Sequence, residues 1–270
     1  MRVGSVIKRI SAANRHPTNR SLEEFQRYWA EHHGPFFAHT PNVRGYVQHI
    51  TLADAYGGRP APTHDGVSMF WYDDLQALVS SPPSPTLVEA IPESHTDVYD
   101  WYVRSSRYGP ADRLTLAEAV SMDDRQLFDR SSEWPTAHRR ISVVATEHIV
   151  LDGPTAPTMV KAVFMVVRRP GLTRAEFCSH WLGAHATLGS CLPGLRRYVM
   201  NPAIYDAERV RPSTHDGFAE LWFDDLTSLH AATSSEAWDA LQSDARTLFA
   251  QPVGLVIARE RVQKDSGVGA

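Results

Sequence analysis

Cysteine is nearly absent: only Cys178 and Cys191 occur in 270 residues. Two thiols do not make a disulfide framework and fit a reducing cytoplasm. Long apolar runs are missing too, since nothing approaches the ~18 consecutive apolar residues of a membrane helix. The N-terminus MRVGSVIKRISAANRH lacks the apolar segment of a secretory leader, so a soluble, cytoplasmic protein is expected. There is no basic run or stripe, and the formal charge is −4, which makes nucleic acid and anionic membranes poor partners. Patterns of the form G-x-G-x-x-G, the P-loop and G-x-S-x-G are absent, which argues against nucleotide binding and serine-nucleophile chemistry. What remains is ordinary: 43% hydrophobic and 21% charged residues, enough to bury real cores.

What the chain does have is itself, twice. Ser21–Tyr46 (SLEEFQRYWAEHHGPFFAHTPNVRGY) superposes on Thr173–Tyr198 (TRAEFCSHWLGAHATLGSCLPGLRRY) at an offset of 152. Glu24, Phe25, Trp29 and His33 meet Glu176, Phe177, Trp181 and His185, and Pro41, Arg44 and Tyr46 meet Pro193, Arg196 and Tyr198. At an offset of 151 the two THDG tetrapeptides coincide, and Trp71, Asp73 and Asp74 fall on Trp222, Asp224 and Asp225. A fixed period of this kind sets the architecture. The chain is a duplicated unit of about 130 residues.

Local patterns place the elements. Val3–Ala12 reads as a strand of β-branched residues. Ser21 with Glu24, and Thr173 with Glu176, have the spacing of a capping box that opens a helix. On the first helix Leu22, Phe25, Trp29, His33 and Phe36 share a stripe, and Phe177, Trp181, His185, Leu188 and Leu192 repeat it. Each helix should stop before Pro41 or Pro193. Strands are expected over Val43–Ala53 and Asp65–Tyr72, and a second helix after Asp73 and Asp74, which in the second copy covers Asp225–Phe249. Arg140–Leu151 closes the first unit, Asp152–Thr158 links, Val160–Arg168 restarts the pattern and Pro252–Val262 ends it. Between Leu78 and Asp123 the first copy spans 45 residues, where Leu229 to Asp244 spans 15. An aromatic-rich insertion near 80–120 therefore sits in the first unit, carrying Tyr99, Trp101 and Tyr102.

Each unit thus reads β-α-β-β-α-β, the split arrangement of a ferredoxin-like fold. Helices cover only one face of such a sheet, and the bare face must be buried. An α+β chain is expected in which residues 1–152 and 153–264 form two units packed sheet to sheet as an intramolecular barrel, followed by a disordered tail at 265–270.

With W-x-x-x-H at Trp29–His33 and Trp181–His185, P-x-x-R-x-Y at Pro41–Tyr46 and Pro193–Tyr198, and D-G followed by Trp71 or Trp222, the sequence resembles the EthD family of dimeric α+β-barrel proteins. The resemblance covers nearly the whole chain outside the insertion. It implies the barrel, a pocket in each unit between helices and sheet, and no obligatory cofactor. The copies depart from the pattern differently: Met69 stands where the family has a glutamate that the second copy keeps as Glu220, and Ala186-Thr187 replaces Gly34-Pro35.

His33 and His185, on apolar stripes, are candidate general acid/bases, or else core histidines satisfied by a backbone carbonyl. Tyr46 and Tyr198 could donate to a developing oxyanion, or simply pack. Glu220 is a general base with raised pKa or a solvated or interface carboxylate. Asp65 and Asp216 could orient a histidine or make a turn. Trp29, Trp71, Tyr99, Trp101 and Tyr102 are candidate ring-binding residues, the last three as a lid over the first pocket or as cover for apolar surface. No metal is expected, no residue stands out as a haem ligand, and neither cysteine sits beside a repeat-matched base. The expectation is a cofactor-independent lyase (dehydratase, cyclase or small-carbonyl elimination) acting on an aromatic or polyketide-like molecule, with His33 at work in the first pocket, and with the second half either running the same chemistry through His185 and Glu220 or serving as scaffold. A cofactor-free monooxygenase on phenols and a non-catalytic small-molecule-binding accessory protein are the rivals. A homodimer on top of the internal pairing is left open.

Overall fold

A computed structural model describes residues 6–15, 21–38, 42–79, 141–204, 213–265 and 267 of the chain. Both expected capping boxes form. Ser21 Oγ accepts from Glu24 N–H at 3.2 Å while Glu24 accepts from Ser21 N–H at 3.0 Å, opening α1 (Leu22–Tyr28). Thr173 and Glu176 do the same for α4 (Arg174–His180). Each helix then widens into one π-helical turn, Trp29–His33 and Trp181–His185, before resuming as α2 (Gly34–Ala38) and α5 (Ala186–Ser190). In both turns an N–H reaches back five residues, from Gly34 to Trp29 and from Ala186 to Trp181.

The strands of the first unit are β1 (Ile7–Ala13), β2 (Gly45–Thr51), β3 (Gly66–Tyr72) and β4 (Ile141–Thr146), with α3 (Leu75–Val79) after β3. Those of the second are β6 (Val160–Val166), β7 (Leu195–Pro202), β8 (Gly217–Phe223) and β9 (Gly254–Lys264), with β5 (His148–Leu151) between the two sets. They make one antiparallel sheet of nine strands in the order β4-β1-β3-β2-β9-β6-β8-β7-β5. Each half of that order is the arrangement expected of a ferredoxin-like unit. The sheet curls until its ends nearly meet: Ala145 bridges Ala203, and Ile204 N–H donates to Val144 C=O at 2.8 Å. The result is the expected α+β barrel with helices outside.

Two strands belong to both units. β9 pairs with β6 through residues 254–258 and with β2 through residues 258–264. The single strand expected at Arg140–Leu151 does likewise in two pieces: β4 pairs with β1, the strand breaks at Glu147, and β5 pairs with β7. The long helix expected over Asp225–Phe249 is also divided, into α6 (Leu226–Thr233) and α7 (Glu236–Leu248). Ser235 caps α7 by accepting from Trp238 N–H at 3.2 Å, a bond that favours a new helix start over continuation. Among the described residues no helix is long and apolar enough to cross a membrane.

Strand alternation gives the barrel two dry faces. Ile10, Val67, Met69, Val143, Val163, Met165, Phe218 and Val256 fill the inside. On the outer face Ala162, Tyr198, Leu221 and Ile257 pack against Phe177, Trp181, Leu241 and Leu248 of the second unit's helices. Full burial of a large apolar side chain contributes about 1.5–3 kcal/mol.

Candidate functional site

The tryptophan and the Asp-Gly pair of each copy meet in space. A Cβ on Gly217 would lie 2.7 Å from the Trp181 ring and 2.6 Å from Asn201 C=O, and one on Gly66 would lie 2.3 Å from Trp29. Glycine is required there because the indole rests on the strand backbone. The aspartates beside those glycines are held elsewhere. Asp216 accepts from Arg168 N–H at 2.8 Å and pairs with its guanidinium; Asp65 accepts from Arg15 N–H at 2.8 Å and from its Nη1 at 2.7 Å. Both carboxylates thus pin the chain just after the first strand of their unit. Neither lines the cavity described next.

Between the second unit's helices and sheet lies a cavity of about 240 Å³. Trp181, His185, Tyr198, Phe164, Trp238 and Phe249 form much of its wall. Pro60 and Ala61 of the first unit close one side. Their loop is docked by Thr63, whose N–H donates to Leu255 C=O at 2.8 Å and whose Oγ1 accepts from Leu255 N–H at 2.7 Å. A dry cavity of ~150 Å³ holds benzene, so this one has room for about two fused rings.

One histidine–carboxylate pair stands at the wall. His185 Nδ1 lies 2.8 Å from Asp244 Oδ2, with the ring edge-on to Phe249 at 5.2 Å. The carboxylate accepts, so Nδ1 carries the proton and Nε2 keeps its lone pair. Burial lowers the pKa of His185; Asp244 works against that and the nearby His180 adds to it, with a net lowering. The imidazole is therefore a neutral base at pH 7. Tyr198 is buried, and burial alone raises its pKa, which keeps it a phenol able to donate. No described residue hydrogen-bonds its hydroxyl. In the first unit the matching Tyr46 hydroxyl is 3.2 Å from Ser68 Oγ and its ring stacks on Phe70 at 4.2 Å. The second unit has Ala219 and Leu221 at those two positions, and both line the cavity.

His33 is buried, with its ring 4.4 Å from that of Phe37. Phe37 is matched in the second unit by Gly189, where a Cβ would stand 2.7 Å from the Tyr198 ring. Trp29 and Trp71 fall on opposite faces of the sheet, Trp29 over Gly66 and Trp71 against the barrel interior. Tyr99, Trp101, Tyr102 and the insertion expected as a lid lie outside the described residues. Trp238 and Asp244, both on α7, were not singled out by the sequence. The only local signal for Asp244 is its alignment with Asp123 at the end of the shorter spacing.

Glu220 is not beside His185. It faces the barrel interior, while Ala219 and Leu221 on the same strand face the cavity. Inside, it accepts from Lys8 Nζ at 2.6 Å and from Asn201 Nδ2 at 2.9 Å, and its second oxygen pairs with Lys161. Lys8 also pairs with Glu147, and Lys161 with Glu260 at 2.8 Å. Lys161 donates to His49 Nε2 at 2.9 Å, and burial lowers the pKa of that imidazole. The lysines sit over Trp71 and Trp222, at 5.0 and 4.0 Å from the ring centroids. Burial raises the pKa of Glu220, but Lys161 and Lys8 outweigh it and hold it at about 2. It is a firmly ionised structural carboxylate, the opposite of a base with raised pKa.

The EthD domain family matches residues 18–98 and 169–252, well over half of the chain. The chain belongs to the EthD family. A Bacillus halodurans EthD-family protein is 26% identical over 38% of this chain and 99% of its own, with a TM-score of 0.34. An anthrone oxidase-like protein shares the fold end to end, with a TM-score of 0.54, 12% identity, and 98% and 96% of the two chains covered. A chlorite dismutase from Candidatus Nitrospira defluvii is 10% identical over 94% of this chain and 91% of its own, with a TM-score of 0.46. No curated protein matches the sequence.

Proposed function

We propose that the chain is a cofactor-independent acid/base enzyme of the lyase type, working in the second unit's cavity on an oxygenated aromatic molecule of one or two rings. The observation that carries this reading is the His185–Asp244 pair at 2.8 Å on the wall of an apolar cavity that also holds the Tyr198 phenol. Asp244 fixes the tautomer and supports the imidazolium when it forms. His185 Nε2 takes a proton from carbon next to a carbonyl, and the electron pair moves onto the carbonyl oxygen, where Tyr198 O–H donates to it. The same imidazolium then returns its proton to a departing hydroxyl, which leaves as water. Trp181, Trp238, Phe164 and Phe249 hold the rings and keep water out.

A second reading, a cofactor-free monooxygenase, is prompted by the anthrone oxidase-like protein of the same fold. The same base would ionise a phenol, and molecular oxygen would be the co-substrate. The test uses wild type, His185→Ala and His33→Ala with a panel of phenols and bicyclic hydroxy-carbonyl compounds. Products are followed by mass spectrometry, and oxygen with an electrode. Loss of about 10²–10⁴ in turnover in His185→Ala with His33→Ala active is the expected result. Loss confined to His33→Ala moves the chemistry to the first unit. Oxygen uptake matching product favours the monooxygenase, and binding without turnover in all three sinks the enzyme reading.

A further inference from the structure

Asp244 serves two imidazoles. Its Oδ2 is 2.8 Å from His185 Nδ1, and its Oδ1 is 2.8 Å from Nε2 of His180. His185 is buried in the cavity wall (side chain 7% exposed), whereas His180, the last residue of α4, is open to solvent at 41%. Residues five apart on an α-helix point about 140° away from each other at 3.6 residues per turn. The π-helical turn at Trp181–His185 lies between these two and closes that angle, so that both rings reach one carboxylate on α7. The first unit has the same turn but carries Tyr28 where the second has His180. The pair is therefore a property of the second unit, where the cavity is.

We propose that His180 is a positioning residue for His185: through the shared Asp244 carboxylate, the proton on the exposed ring decides how readily the buried ring takes up another. One negative charge can support one imidazolium well. When His180 is charged, Asp244 is already neutralised and His185 must carry its own charge in an apolar wall with no counter-ion, so it becomes a weaker base. When His180 is neutral, Asp244 is free to support His185. Among the described residues Tyr198 is the other titratable group on the cavity wall, and it stays a neutral phenol. Phe249, edge-on to His185, brings no charge. The inference rests on the reading of His185 as the base, but the coupling itself can be measured without any substrate.

The experiment is a pH titration of the imidazole nitrogens by long-range 1H–15N correlation on the full-length protein, comparing wild type, His180→Gln and Asp244→Asn. Glutamine keeps an N–H for Asp244 Oδ1 and cannot charge. In wild type His185 is expected to titrate in two steps, one coinciding with the titration of His180. In His180→Gln it should titrate in a single step at higher pH, by a few tenths to about one pH unit. In Asp244→Asn the two rings should titrate independently. A His185 curve identical in wild type and His180→Gln overturns the proposal, as does a two-step curve that survives Asp244→Asn. Absence of turnover in every protein would instead sink the enzymatic reading and leave the coupling standing.

Discussion

Replacing Glu220 with glutamine keeps the shape of the side chain and deletes the charge that both buried lysines share. Glu220 is fully buried, and its pKa is held at about 2 against an ordinary 4.5. At about 1.4 kcal/mol per pKa unit, that gap corresponds to roughly 3 kcal/mol of folding stability. The folded-state value is the depressed one, so this stability is fully present above pH 4.5 and is lost as the pH falls towards 2. Breaking a buried ion pair costs about 3–5 kcal/mol in general. Here Lys8 keeps Glu147 and Lys161 keeps Glu260, so the lower end applies. Glu220→Gln should therefore lose about 3 kcal/mol at pH 7, read as a lower urea midpoint with an unchanged slope. The melting temperature should fall by about 6–12 °C. The difference from wild type should shrink to less than half by pH 3. A loss under ~0.5 kcal/mol at pH 7, or an equal loss at both pH values, would refute the account of the barrel interior. Met69 occupies the matching position of the first unit, so the interior carries one carboxylate between two lysines where exact symmetry would place two.

Other outcomes follow from the cavity. Gly217→Ala forces a methyl group against Asn201 C=O and the Trp181 ring, so it should destabilise by about 1–3 kcal/mol and weaken ligand binding together. Fluorescence titration with a bicyclic phenol alongside urea unfolding would show both changes; unaltered affinity would mean that Trp181 does not shape the site. Because His185 acts as the neutral base and its pKa is lowered, the acid limb of kcat/KM should fall below pH 6.5, and a limb above that value would assign the base to another group.

Much of this fold is legible in the sequence because the repeat makes each local signal appear twice. The capping boxes and the helices they open come from short-range patterns that the structure keeps. Where partners are distant in sequence the reading thins. Alternation places Glu220 on the side of Trp222, but only the lysines arriving from β1 and β6 explain why an ionised carboxylate is stable there. Asp244 is 59 residues from His185, on a helix whose acidic residues look like an ordinary solvent face. The break between α6 and α7 turned on one serine hydroxyl finding a backbone N–H. Glu147 falls inside an apparently continuous strand because the chain changes its pairing partner there, and a pattern of single residues does not record partners.

The two shared strands bear on how the molecule comes apart. β9 gives one end to β6 and the other to β2, and the β4–β5 segment divides itself between β1 and β7. Neither unit can be drawn away whole, because each holds the other by a strand that is still part of its own sheet. The covalent link through Asp152–Thr158, mostly exposed, is then the lesser of three connections. Loosening either unit strips a neighbour of its ladder, so the halves share one fate on heating.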